Sequence, residues 1–248
     1  MKKQLKRTII LTGVLVLTIA LSACGAKSAK DLMKSDLTAK EDQALLEKIL
    51  ENAGITDTKE YFDNLNKFNE LQGDENNQEV GLNCRVSEFL LMKDFVEAKE
   101  QKGYGNYLMF DIDAIDNDKR CQSLKAQKSD FIALFNEISV KGMSDKEMEE
   151  AYPKAWADRG IKYLNDKVSI INVVLNDPYD HINFVGHTGM LMEYEGYYWF
   201  LEKISPEDPY QLTRYNNKKD LKNELENRPR YQDEAAHKPM VYENGKIL

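Results

Sequence analysis

The chain has 248 residues, of which 42% are hydrophobic and 10% aromatic, and 42 acidic side chains outnumber 34 basic ones for a formal net charge of −8. That apolar share builds a core and excludes a disordered tail, and the length allows one large or two small domains. The acidic balance leaves no electrostatic footprint for nucleic acid, and no repeat at a fixed period marks a solenoid.

Lys2, Lys3, Lys6 and Arg7 precede an apolar run from Ile9 to Leu21 that only Thr12, Gly13 and Thr18 interrupt. This is the order of an export signal, and the run is short for a membrane span. It closes with Leu21-Ser22-Ala23-Cys24, which resembles the lipobox of bacterial lipoproteins. The resemblance implies cleavage before Cys24, lipidation of its sulfur, and attachment to the outer face of a bacterial membrane. Two or more acyl chains hold a protein stably at a bilayer, whereas one holds it only marginally. Loss of residues 1–23 removes four positive charges and no negative ones, which takes the formal charge to −12. An anionic bilayer repels such a chain, so the acyl chains must do the anchoring. Residues 24–37, small and polar with Lys27, Ser28, Lys30 and Lys34, predict a flexible tether, and residues 38–248 a single domain.

Thr38 and Glu41 have the spacing of a capping box, and Leu45, Leu46, Ile49 and Leu50 follow on one helical face until Gly54. Tyr61, Phe62, Leu65, Phe68 and Leu71 predict a second helix. After the polar loop at residues 73–77, Val86, Phe89, Leu90, Phe95 and Val96 give a buried helical stripe over residues 85–98, which places Cys84 at a helix start. Residues 107–115 read as a strand, and residues 129–138 and 144–157 as helices, the second opening with the capping-box pair Ser144 and Glu147. Residues 168–175, 188–194 and 197–204 are β-rich, the last two joined by Glu195-Gly196 as in a tight hairpin. A short helix over 218–225 and an Asn244-Gly245 turn close the chain. Helices early and strands late predict an α+β domain with helices packed on an antiparallel sheet.

Beyond Cys24, only Cys84 and Cys121 are cysteines, and only His181, His187 and His237 are histidines. A helix start offers partial positive charge and unbonded N–H groups, which favour a thiolate and can bind an oxyanion. His187 opens the predicted strand that follows Gly186, and Glu202 lies fifteen positions on in the neighbouring strand, where a hairpin returns it towards the imidazole. A nucleophile, a base and a polar group that fixes the base make a hydrolytic set. Two plainer readings of Cys84 stand beside it: an inert core thiol and a disulfide to Cys121. His181 reads as a loop residue, and His181, His187, Asp177 and Asp180 match no tight zinc spacing. Asp111, Asp113, Asp116 and Asp118 lack the glycine and closing glutamate of a calcium loop and read as a solvated face. No metal and no cofactor are implied.

A cysteine at a helix start, a histidine at a strand and a polar residue on the next strand resemble papain-like and NlpC/P60-like cysteine peptidases and amidases. Gln78, six positions before Cys84, is similar in spacing to the glutamine of the papain-like oxyanion hole. The Cys84 context, Gly81-Leu82-Asn83-Cys84-Arg85, departs from the usual signatures of those enzymes, and Glu202 stands where asparagine, histidine or aspartate is commoner. Gly81 to Arg85, Gly186-His187-Thr188-Gly189, Leu201-Glu202-Lys203-Ile204, Pro209-Tyr210-Gln211 and Pro239 to Gly245 resemble a family of Gram-positive lipoproteins labelled domain of unknown function 4300. The expectation is a monomeric, membrane-anchored thiol hydrolase acting on cell-envelope peptide, with Cys84, His187, Glu202 and Gln78 as its site. The alternative is a non-catalytic binding or scaffold lipoprotein.

Overall fold

The computed structural model describes residues 34–36, 40–69, 82–206, 208–233 and 236–248. The expected signal segment, Cys24, Gln78 and nearly all of the expected tether lie outside these residues. A short strand, β1 (Lys34–Asp36), falls within the stretch expected as tether. Helices α1 (Lys40–Asn52), α2 (Lys59–Asn69), α3 (Cys84–Met92), α4 (Met109–Asn117), α5 (Lys128–Phe135) and α6 (Asp145–Asp158) follow, with the two-residue strands β2 (Val96–Glu97), β3 (Ile138–Ser139) and β4 (Lys162–Tyr163) around them. The C-terminal part holds β5 (Val168–Asp177), β6 (Ile182–Tyr194), β7 (Tyr197–Lys203), β8 (Tyr210–Tyr215), α7 (Lys218–Glu226), β9 (Met240–Glu243) and β10 (Lys246–Ile247). The fold is α+β, with helices N-terminal and a large antiparallel sheet in the C-terminal part, as the sequence predicts. Among the described residues, no helix is long and apolar enough to cross a membrane.

Local chemistry explains the elements that set the register. Glu195 and Gly196 take left-handed backbone angles (φ 52° and 75°), which a two-residue hairpin requires, and Tyr194 pairs with Tyr197 across them. The Ser144–Glu147 capping box opens α6 as read, and Gly54, at φ +80°, follows the end of α1. The sheet runs β1-β8-β7-β6-β5-β9-β10, with β3 added beside β6. Alternation along its strands divides the core. Ile171, Val173, Leu191, Phe200 and Val241 pack with Leu221 and Leu225 of α7, while Ile170, Val174, Met190, Met192 and Leu201 join the apolar side chains of the N-terminal helices.

Three readings of secondary structure change. The stripe read as helix over 85–98 is helix only from Cys84 to Met92; Lys93–Phe95 is a 3-10 turn and Val96–Glu97 is β2. Residues 107–115 are not a strand: a short 3-10 turn (Asn106–Leu108) leads into α4. The apolar–acidic alternation there imitates a strand, but Leu108, Ile112 and Ile115 recur at helical spacing and are all buried. His187 does not open its strand either, because β6 begins at Ile182. Gly186, the residue before the expected strand, is a bulge: β5 pairs Val173 with His187 and then Val174 with Val185, leaving Gly186 over.

Gly189 stands opposite Glu202 in the β6–β7 pair, under the Phe200 ring. A Cβ there would sit 2.7 Å from the Leu201 carbonyl oxygen and 2.4 Å from the Phe200 ring. Gly189→Ala is expected to destabilise the fold by about 1–3 kcal/mol, the usual effect of forcing a methyl into packed core. Urea denaturation measures it, and a change within about 0.5 kcal/mol, the range of an ordinary surface substitution, would contradict the register.

Candidate active site

The site forms where β6 loses a strand partner on one edge. Along its β5 edge it is paired from Ile182 to Met192. On the other edge, β3 pairs only Ile182 and Asn183, and β7 begins at Gly189. Among the described residues, no strand therefore faces residues 184–188 there. The start of α3 fills the gap. Arg85 Nη1 donates to the Val185 carbonyl at 2.7 Å, and Cys84 Sγ lies 3.9 Å from the Gly186 carbonyl oxygen.

Asn83 caps α3, its side-chain oxygen accepting from the Val86 N–H at 3.2 Å. The Ser87 N–H makes the first backbone bond, to the Asn83 carbonyl, so the Cys84 and Arg85 N–H groups precede the helix's own ladder. Asp111 of α4 steadies this turn: it accepts from Asn83 Nδ2 at 2.8 Å and from Arg85 Nη2 at 2.7 Å. Asp111 is thus buried rather than part of a solvated face.

Glu202 opposes Gly189, two residues beyond His187, so His187 and Glu202 are diagonal neighbours on the α7 side of the sheet. His187 Nε2 meets Glu202 Oε2 at 2.6 Å, and each side chain is 1% exposed. With Nε2 engaged, Nδ1 is the ring nitrogen left for Cys84. The ring also lies 6.0 Å from the Tyr231 ring and 6.5 Å from Phe200. Arg228, just past α7, donates to both Glu202 oxygens at 2.6 and 2.7 Å. It also donates to both oxygens of Glu224 at 2.8 and 2.9 Å.

Burial opposes every charge in this group, and the partners overturn it. Burial pushes the Cys84 thiol up, yet hydrogen bonding to His187, the charges of His187 and Arg85 and the Thr188 N–H bring it below its ordinary value. Burial pushes His187 down, yet its hydrogen bonds to Cys84 and Glu202 raise it to about 9. Burial pushes Glu202 up, yet Arg228 and His187 hold it at about 2. The directions agree on a sulfur that tends to thiolate beside an imidazole that tends to imidazolium. Glu88, one turn beyond Cys84, goes the other way. Burial, reinforced by the charges of Cys84 and Glu202, lifts it well above the usual carboxylate range.

The sequence-predicted Cys84, His187 and Glu202 thus come together, while Gln78 lies outside the described residues. Cys84 is not bridged to Cys121. His181 sits in the β5–β6 turn at φ 55°, and His237 precedes β9; neither joins the group. Among the described residues, no three histidine, cysteine, aspartate or glutamate side chains converge as metal ligands would. Sequence reasoning missed Arg85, Asp111, Glu224 and Arg228. A capping asparagine before Cys84 was the one available sign that the first turn of α3 is built with care.

A family model described as Domain of unknown function (DUF4300) matches residues 70–248, well over half of the chain. No curated protein and no solved structure matches it.

Iodoacetamide is expected to alkylate Cys84 at pH 7 faster in the native protein than in the denatured chain, because the native thiol sits below its ordinary value. Peptide-resolved mass spectrometry reads the rate, and a native rate no higher than the denatured one would contradict the thiolate.

Proposed function

The chain belongs to the DUF4300 family, whose description carries no activity, and from the site itself we propose that it is a thiol-dependent amide hydrolase. In this reading a lipid on Cys24 holds it at the outer face of the membrane, and its substrate is a peptide of the cell envelope. The observation that carries the reading is the buried 2.6 Å contact between His187 and Glu202 beside a thiol at a helix start. The order of cysteine helix, histidine strand and carboxylate strand supports a papain-like or NlpC/P60-like arrangement.

The Cys84 sulfur attacks the amide carbonyl carbon, forming a carbon–sulfur bond and moving the carbonyl electron pair onto oxygen. The Cys84 N–H at the start of α3 and Gln78 are the proposed donors to that oxyanion. Collapse breaks the carbon–nitrogen bond, and His187 gives its proton to the leaving amine. Water, deprotonated by His187, then attacks the thioester carbon; the carbon–sulfur bond breaks, the acid leaves, and the thiolate–imidazolium pair is restored. Glu202 holds the ring through Nε2, so that Nδ1 stays turned to the sulfur.

The second reading, a non-catalytic binding or scaffold lipoprotein, draws on burial: Cys84 is 8% exposed and His187 only 1%. Hydrolysis of cell-wall peptide fragments and model peptide amides separates the two. Cys84→Ala is expected to lose activity by more than about a thousandfold, the scale seen when a nucleophile is removed. Equal turnover by wild type and variant, or none by wild type, favours the scaffold.

A further inference from the structure

Glu202 is a fully buried carboxylate, and its state decides that of His187. Facing His187 alone, it would share the pair's proton under conditions that disfavour charge. The cheapest arrangement of an isolated buried imidazolium and carboxylate moves the proton from nitrogen to oxygen and erases both charges. The imidazole would then be neutral, and the sulfur beside it would keep its hydrogen.

Arg228 removes that outcome. It fills both oxygens of Glu202 in a bidentate fork, Nη1 on Oε2 at 2.6 Å and Nη2 on Oε1 at 2.7 Å. Oε2 is the atom that also meets His187 Nε2. A guanidinium does not give up its proton in a protein, so the charge opposite Glu202 cannot be discharged. On its far side Arg228 is held by Glu224 of α7, whose Oε2 also accepts from the Tyr215 hydroxyl at 3.1 Å. Among the described residues, the other groups that bear on Glu202 are Glu88 and the Tyr215 and Tyr231 hydroxyls, all raised chiefly by burial.

We propose that Arg228 is a positioning residue that keeps the proton on His187 by making Glu202 too weak a base to take it. It touches neither the sulfur nor the imidazole's free nitrogen and acts through Glu202; its other contact towards the imidazole, Nη1 to the Tyr231 hydroxyl at 3.5 Å, is with a group that is neutral at neutral pH. Its catalytic meaning rests on the hydrolase reading; its effect on the sulfur does not.

The test is the pH profile of Cys84 alkylation by iodoacetamide in the full-length protein, read by peptide mass and needing no substrate. Arg228→Gln is expected to move the thiolate midpoint up by about one pH unit or more, a roughly tenfold loss of thiolate on the rising limb. Arg228→Lys restores part of it, since a point charge cannot fork. Glu202→Gln has its own shift, and Glu202→Gln with Arg228→Gln is expected to shift no further than Glu202→Gln alone. The double variant removes both members of the deeply buried pair and leaves only the partly exposed Glu224 without its guanidinium, so it keeps the comparison if Arg228→Gln fails to fold. A wild-type profile in Arg228→Gln, or a double variant whose shift is the sum of the two singles, overturns the proposal. An ordinary thiol titration in the wild type overturns it together with the hydrolase reading. The predicted shifts without hydrolysis of any substrate leave Arg228 in its role and remove only the hydrolase.

Discussion

One carboxylate oxygen, Glu202 Oε2, receives His187 Nε2 and Arg228 Nη1 at 2.6 Å each. A charge this deep in a protein is tolerated only when its partners are close and well aimed, because the solvation it gave up is worth several kcal/mol. The lone pairs of Glu202 are met by donors from a second strand and from the segment after α7. That arrangement brings charge to the imidazole and, through it, to the sulfur. Glu88 shows the contrast: on the same helix as Cys84 and equally buried, it is lifted well above the usual carboxylate range, because the Lys203 N–H and charge do not outweigh burial.

The sheet supplies the geometry. β7 leaves β6 at Gly189, and the released edge receives the first turn of α3 instead of a strand. The nucleophile is thereby held in line with the strand that carries the base, with the Gly186 bulge opening the backbone between them. The Asn83 cap and the Arg85–Asp111 pair fix the same turn from the other side, and Asp111 also takes part in the cap. Three elements far apart in sequence, α3, β6–β7 and α7, therefore meet around one imidazole. The helices on one face and α7 on the other are separate apolar clusters, and the site sits where the sheet between them is incomplete.

Much of this was legible in the residues. The scarcity of cysteine and histidine singled out Cys84 and His187, and the Glu195-Gly196 turn fixed a hairpin that returns Glu202 towards His187. The order of helices and strands set the fold class. Arg228 was not legible: it follows Glu202 by 26 positions, after a helix, and no spacing rule links a strand carboxylate to a guanidinium beyond the next helix. Asp111 was hidden by the alternation that made α4 look like a strand, since its partner Arg85 lies on another helix. The bulge at Gly186 escaped for a similar reason, because a glycine inside a strand pattern reads equally as a break. β8 (Tyr210–Tyr215) is buried on both faces for much of its length and so lacks the alternation that reveals a strand.

The claim beneath all of this is that His187 carries two ring protons inside the folded protein at neutral pH. Nitrogen NMR of the histidine-labelled protein reads that state at the ring itself. The account predicts that both ring nitrogens of His187 stay protonated through neutral pH and titrate only near pH 9. A neutral ring with a single proton at pH 7 would contradict it.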